Sequence, residues 1–120
     1  MPLEILRKDI LTKIKRKNLG NLLLTKAIDK LIKDLEAARW ENKTDVIKDR
    51  TDADCVHSDG FYFFDIKVHR TMILLEFPSV NIENGEATIL WAGTHEEYDK
   101  IFKGNKSTIE KWLRDQGLIK

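Results

Sequence analysis

The chain contains one cysteine, Cys55, in 120 residues, so no disulfide can close within it. We read that lone thiol as a half-buried strand residue rather than a reactive one. Long apolar runs are also missing. None reaches the roughly 18 residues that a membrane span needs. The first residues, MPLEILRKDILTK, interleave charge with Leu and Ile and lack a signal peptide's apolar core. The expected compartment is therefore the cytosol, with no membrane partner. Neither a P-loop nor a GxGxxG turn occurs, which argues against a nucleotide cofactor. His57, His69 and His95 stand far apart, with no HxH or HExxH spacing, and Cys55-x-His57 alone is too thin for a zinc site. No nucleophile elbow is present. The expectation is no cofactor and no metal.

What is present is ordinary for a globular chain: 42% apolar and 34% charged residues. At this length one domain, 1–120, is expected, with a core that needs no covalent staple. Net charge is +1, but it is unevenly spread. Residues 1–53 carry 13 Lys and Arg against 9 Asp and Glu (+4), whereas residues 54–120 carry 8 against 11 (−3). The basic half includes the cluster Lys13, Lys15, Arg16 and Lys17. Such a cluster either meets phosphates or forms the solvated end of an amphipathic helix.

Leu3, Leu6, Ile10 and Ile14 recur at three- and four-residue spacing, which predicts a helix over 3–17. Gly20 fits its C-cap, and Asn21 fits the N-cap of a second helix that carries Leu24, Ile28, Leu31 and Leu35 and ends near Trp40. The two helices form an antiparallel hairpin in this reading. Residues 41–53 are polar and without a clean period, so they read as a loop with at most one helical turn. The period then changes to two. Short strands are expected at 55–57, 61–66, 71–77 and 87–92, with an Asp59-Gly60 hairpin turn and Lys67 to Arg70 as a tight basic connection. Pro78 and Asn84-Gly85 punctuate the loop between the last two strands. Thr94-x-x-Glu97 and Ser107-x-x-Glu110 read as capping boxes for two closing helices, the second ending at Gly117. The predicted fold is α+β: an N-terminal helical hairpin and C-terminal helices on one face of a four-stranded antiparallel sheet.

Chemistry-bearing groups concentrate at strand ends. Lys67, His69 and Arg70 lie in one connection, and His95, Tyr98, Asp99 and Lys100 follow the last strand. A meander brings both groups to the same end of the sheet. Cations for a phosphate, an aromatic phenol, and a His or Lys for proton transfer suit RNA cleavage, in which the ribose 2′-hydroxyl attacks the adjacent phosphorus. The plainer reading also accounts for part of the stretch, since Thr94 and Glu97 are explained by capping and Glu96 by the helix dipole.

GTHEEYDKI (93–101) resembles the C-terminal Gly-Thr-His-x-Glu-Tyr-Asp-Lys run of HigB-type toxins, mRNA interferases of the RelE/ParE superfamily. Residues 38–66, with Trp40, Asp45-Val46 and the strand FYFFDI, are similar to a second segment of that family. The resemblance covers roughly residues 3–101, leaving 103–120 as a helical extension. It implies a RelE-like fold and endonucleolytic cleavage of mRNA on the translating ribosome without metal. It also implies a HigA-like antitoxin with a helix-turn-helix domain, so that DNA is met only through the antitoxin.

Carried over by position, Tyr98, His95, Asp99 and Lys100 match the family's C-terminal run, and Arg70 matches the Arg that begins its third strand. Lys67, His69, Lys48 and Arg50 are the expected RNA-binding residues. Three departures stand out. FDIKVHRTMIL is shorter than the family's hairpin, PSVNIENGEA is longer than its usual turn, and Leu90 occupies the place of an Arg three residues before the Gly. A RelE/ParE-fold inhibitor of a protein target such as gyrase, or a non-catalytic interaction domain, are the other readings of the same residues.

Overall fold

A computed structural model describes residues 3–80 and 84–120. The elements run β1 (Glu4–Leu6), α1 (Asp9–Lys17), α2 (Leu22–Ala37), α3 (Lys43–Asp49), β2 (Asp54–His57), β3 (Phe61–Ile66), β4 (His69–Glu76), β5 (Glu86–Thr94), α4 (His95–Phe102) and α5 (Lys106–Asp115). The expected loop through 78–85 includes residues 81–83, which lie outside the described residues, as do residues 1 and 2.

The α+β class holds, but the sheet is five-stranded and mixed, in the order β1-β5-β4-β3-β2. The unexpected strand is β1, taken above for the start of a helix. Glu4, Ile5 and Leu6 pair in parallel with Glu86, Ala87 and Thr88. A three-and-four spacing over so few residues does not separate helix from strand. The chain breaks at Arg7, whose φ of 60° lies in the left-handed region and costs roughly 1 kcal/mol for a non-glycine residue. Its guanidinium holds Asp9 at 3.1 Å as α1 begins.

The hairpin of α1 and α2 is present but shorter than expected. Lys15 meets Asp29 at 2.6 Å and Lys8 approaches Glu36 at 4.0 Å, an order that only antiparallel helices give. Asn21 caps α2 by accepting from the Leu24 N–H, whereas Gly20 has no capping role. The expected loop 41–53 contains α3. Asn42 accepts from the Asp45 N–H, Asp45 accepts from the Glu41 N–H, and the Trp40 indole donates to Asp49 at 2.8 Å.

The helices occupy both faces of the sheet rather than one. On one face Leu24, Ile28, Leu31 and Leu35 of α2 pack over Tyr62, Phe64, Ile73 and Ile89. On the other, Tyr98 and Phe102 of α4 and Ile109 and Leu113 of α5 cover Phe61, Phe63 and Met72. The reason is β3 itself: Phe61, Tyr62, Phe63 and Phe64 are all buried. A strand apolar on alternate sides needs cover on both. Each such side chain contributes about 1.5–3 kcal/mol on burial.

Two turns fix the sheet end that matters most. Lys67 and Val68 alone join β3 to β4, since Ile66 already pairs with His69. The expected basic connection is therefore shorter, and His69 and Arg70 belong to β4. At the other end Gly60 has φ +104°, and a Cβ there would strike the Leu75 carbonyl, so the Asp59-Gly60 hairpin requires glycine. The closing helices begin as one correct and one corrected cap. Thr94 and Glu97 form the capping box in full. Ser107 is already helical and donates its N–H to Asn105, which is the true cap of α5. Gly117, at φ +74°, ends that helix in a Schellman turn, with Leu118 N–H to Leu113 and Gly117 N–H to Arg114.

Candidate active site

The antiparallel register brings Arg70 opposite Asp65 on β3 and opposite Gly93 on β5. Arg70 thus points to the face covered by α4. Its Nε donates to Asp65 Oδ1 at 3.0 Å, and Nη2 lies 4.0 Å from Asp54. The guanidinium carbon sits 4.6 Å from the centre of the Tyr98 ring and 5.2 Å from that of Phe63. Phe63 meets Tyr98 edge-on at 4.9 Å. Only 12% of the Arg70 side chain is exposed. Stacking between two rings and a carboxylate on Nε hold the fork still and leave Nη1 with no protein partner among the described residues. A cation so fixed can bind an anion without first being ordered.

Gly93, the β5 partner of Arg70, leaves room for the Trp91 ring and for the cap of α4. A Cβ at Gly93 would lie 2.7 Å from the Trp91 ring and 3.1 Å from Glu97 Oε1. The chain passes at once from β5 into α4, locked by Thr94 Oγ1 accepting from the Glu97 N–H (3.0 Å) and Glu97 accepting from the Thr94 N–H (2.9 Å). That donated N–H holds the Glu97 carboxyl below its usual range. The cap sets His95 at the first helical position, exposed, with its ring 6.4 Å from Tyr98. The His95 N–H donates to the Val68 carbonyl at 3.0 Å, tying the helix start to the β3–β4 turn.

The other expected residues fall in different places. Lys100 is two positions past Tyr98, nearly opposite it around the helix. It is 75% exposed and pairs with Glu96 at 3.6 Å. Asp99 is exposed, and its backbone carbonyl closes the end of α4. Lys67 is exposed in the turn, and Lys48 is exposed on α3. His69 points to the opposite face from Arg70, beside α1, in a groove shared with Lys13, Lys17 and Glu97. Its Nδ1 has no hydrogen-bond partner among the described residues. Burial lowers its pKa, with Glu97 acting against the shift and His95 adding to it. Arg50 is buried in a network: Nη1 to Asp34 at 3.0 Å, Nη2 to Asp52 at 2.7 Å and to the Asp65 carbonyl at 3.2 Å.

Leu90 occupies a β-bulge. Met72 pairs with Trp91 and Ile73 with Ile89, so Leu90 is the extra residue, and it packs against the apolar cluster under α4. The sequence reading missed Asp65, Phe63 and Asp54. The two-residue turn at Lys67-Val68 places Asp65 opposite Arg70, which a basic connection spanning 67–70 does not.

Among the described residues no group of three His, Cys, Asp or Glu side chains is placed to hold a metal ion. No described helix is long and apolar enough to cross a membrane. A comparison with curated proteins finds no match. A family model does match, over residues 24–101, from within the first turn of α2 to the end of the Gly-Thr-His run. It describes the HigB toxin, the RelE-like toxic component of a toxin-antitoxin system. With well over half of the chain matched, from the first turn of α2 to the last turn of α4, the protein belongs to the HigB family of RelE-like toxins, the toxic component of a toxin-antitoxin system with an antitoxin partner.

Proposed function

We infer that this toxin is a metal-independent endoribonuclease that cleaves mRNA on the translating ribosome. The observation that carries the reading is the Arg70–Tyr98 stack, 4.6 Å deep and anchored by Asp65, beside an exposed His95. Cleavage by the 2′-hydroxyl needs one group to take a proton, one to return it, and a cation for the charge that builds on the phosphoryl oxygens. Arg70 is placed for the last task. Tyr98 orients it and offers its hydroxyl to the attacking or leaving oxygen. His95 is the proton carrier in this reading, because Lys100 faces away and is paired with Glu96. Removing one preorganised charge-stabilising donor costs about 3–4 kcal/mol in other enzymes. Arg70→Ala should therefore cut turnover by two to three orders of magnitude.

The partner in this reading is a HigA-like helix-turn-helix antitoxin, which brings the pair to DNA. Lys67, exposed in the β3–β4 turn, and Lys48, exposed on α3, are the cations assigned to RNA phosphates in this reading. The test is induction of the toxin without its antitoxin, followed by mapping of new mRNA 5′ ends. Cuts within translated frames that vanish in an Arg70→Ala, Tyr98→Phe double variant support the reading. Intact transcripts with normal growth refute it.

A further inference from the structure

We propose that the cavity between β2 and the α4–α5 link is a nucleotide subsite, which seats one base and phosphate of the RNA next to the cut. The assignment rests on the endoribonuclease reading given above. The cavity has a volume of about 430 Å³, within the range of small-ligand pockets and enough for one nucleotide rather than two. It adjoins the Arg70 stack directly. Tyr98 lines the cavity and also carries Arg70 over its ring, and Asp54 lines it while lying 4.0 Å from Arg70.

The lining sorts into the groups a nucleotide needs. Val56 and Ile109 supply apolar wall for a base. Asp54, His57 and Ser58 supply polar edges. The His57 Nδ1 accepts from the Asp59 N–H at 3.0 Å, which leaves Nε2 as the ring's other hydrogen-bonding atom. Lys43 and Lys106 also line the cavity, and neither has an ion-pair partner among the described residues. Two unneutralised cations beside apolar walls favour a phosphorylated, planar ligand over a peptide or an acyl chain. Single-stranded RNA is read by splaying bases into such pockets. Gly104, Lys106 and Ile109 all lie beyond residue 101, where the family match ends. The subsite is thus a feature that α5 adds to this chain, and it gives the extension a role in choosing where the RNA is cut.

The test titrates the ¹⁵N-labelled full chain with the four ribonucleoside 3′-monophosphates and, separately, with inorganic phosphate. It then compares cut positions in mRNA for the wild type, Lys106→Glu and Ser58→Trp. Both substitutions are at exposed positions outside the Arg70 stack. Saturable amide shifts at Ser58, Gly104 and Lys106 with at least one nucleotide are expected. Lys106→Glu should weaken binding about ten-fold, the loss of one charged contact, and Ser58→Trp should abolish it by filling the space. Both should change the base found beside the cut. An equal response to inorganic phosphate alone overturns the proposal, as does the absence of shifts. If nucleotides bind but the wild type cuts no RNA, the cavity stands as a nucleotide site while the nuclease reading, and with it the placement beside a cut, falls. If cutting persists with unaltered positions in both variants, the nuclease reading stands and the subsite falls.

Discussion

Arg50→Ala should unfold this protein sooner rather than merely weaken its hold on RNA. The guanidinium is 11% exposed and bridges Asp34 and Asp52 at 3.0 and 2.7 Å, with the exposed Lys30 also meeting Asp34 at 3.1 Å. It also donates to the Asp65 carbonyl and lies 5.7 Å from the Phe64 ring centre. Removing it leaves Asp34 to the exposed Lys30 and Asp52 to the Asp65 N–H, and unties α2 and the α3–β2 link from β3. Breaking a buried pair by deleting one partner costs about 3–5 kcal/mol. Asp34 and Asp52 keep 28% and 25% of their side chains exposed, so water recovers part of that. We take about 2–4 kcal/mol. At roughly 3–5 °C per kcal/mol for a domain of this size, the melting temperature falls by roughly 6–20 °C. Thermal unfolding followed by circular dichroism measures this. Arg50→Lys keeps the charge but loses the fork, and should fall between the two. A melting temperature within about 2 °C of the wild type, together with lost RNA affinity in the folded variant, would refute the reasoning and return Arg50 to the RNA surface.

Gly93→Ala forces its Cβ onto the Trp91 ring and Glu97; overpacking of this kind should cost about 1–3 kcal/mol in urea unfolding. Thr94→Ala removes half of the capping box and should cost about 1 kcal/mol, while amide exchange in the first turn of α4 rises. His69 is held below its ordinary pKa by burial. The unfolded chain therefore binds the proton more tightly, and stability is full above about pH 6.5 and declines as pH falls below it. The slope of melting temperature against pH in that window should shrink in His69→Gln, and an unchanged slope would assign the acid sensitivity elsewhere.

Much of the fold is legible in the sequence because its signals are local. The heptad-like stripe of α2, the Asp59-Gly60 turn and the Thr94–Glu97 box each fix a conformation within a few residues. What was missed depends on partners far away in the chain. Leu3 to Leu6 become strand only because β5 offers them an edge at Glu86 to Thr88. The capping of α3 uses Asn42 and Asp45, short side chains that read equally well as turn residues. The second covered face was implied by the unbroken run Phe61 to Phe64, which an alternating reading of the strand set aside. At the site, Arg70, Tyr98 and His95 were legible as types at a strand end. Their grouping required register: a two-residue turn turned Arg70 toward Tyr98 and His69 away from it. The same register made Asp65 a partner of Arg70. Arg50 looked like a surface cation by composition and proved to be an internal tie, because only tertiary structure brings Asp34, Asp52 and Asp65 to it.

The parallel pairing of β1 with β5 also sets an order of events during synthesis. β1 is made first, yet the strand it must join is completed only at Thr94, immediately before the helix that carries His95 and Tyr98. Until β5 has emerged, β1 has no strand to pair with, and Arg70 has no ring of Tyr98 to lie on. A nascent chain is therefore without the Arg70–Tyr98 stack until residue 98 has emerged. The two edges of the sheet thus differ in age: β2 pairs as soon as β3 follows it, whereas β1 waits for a strand some eighty residues later in the chain.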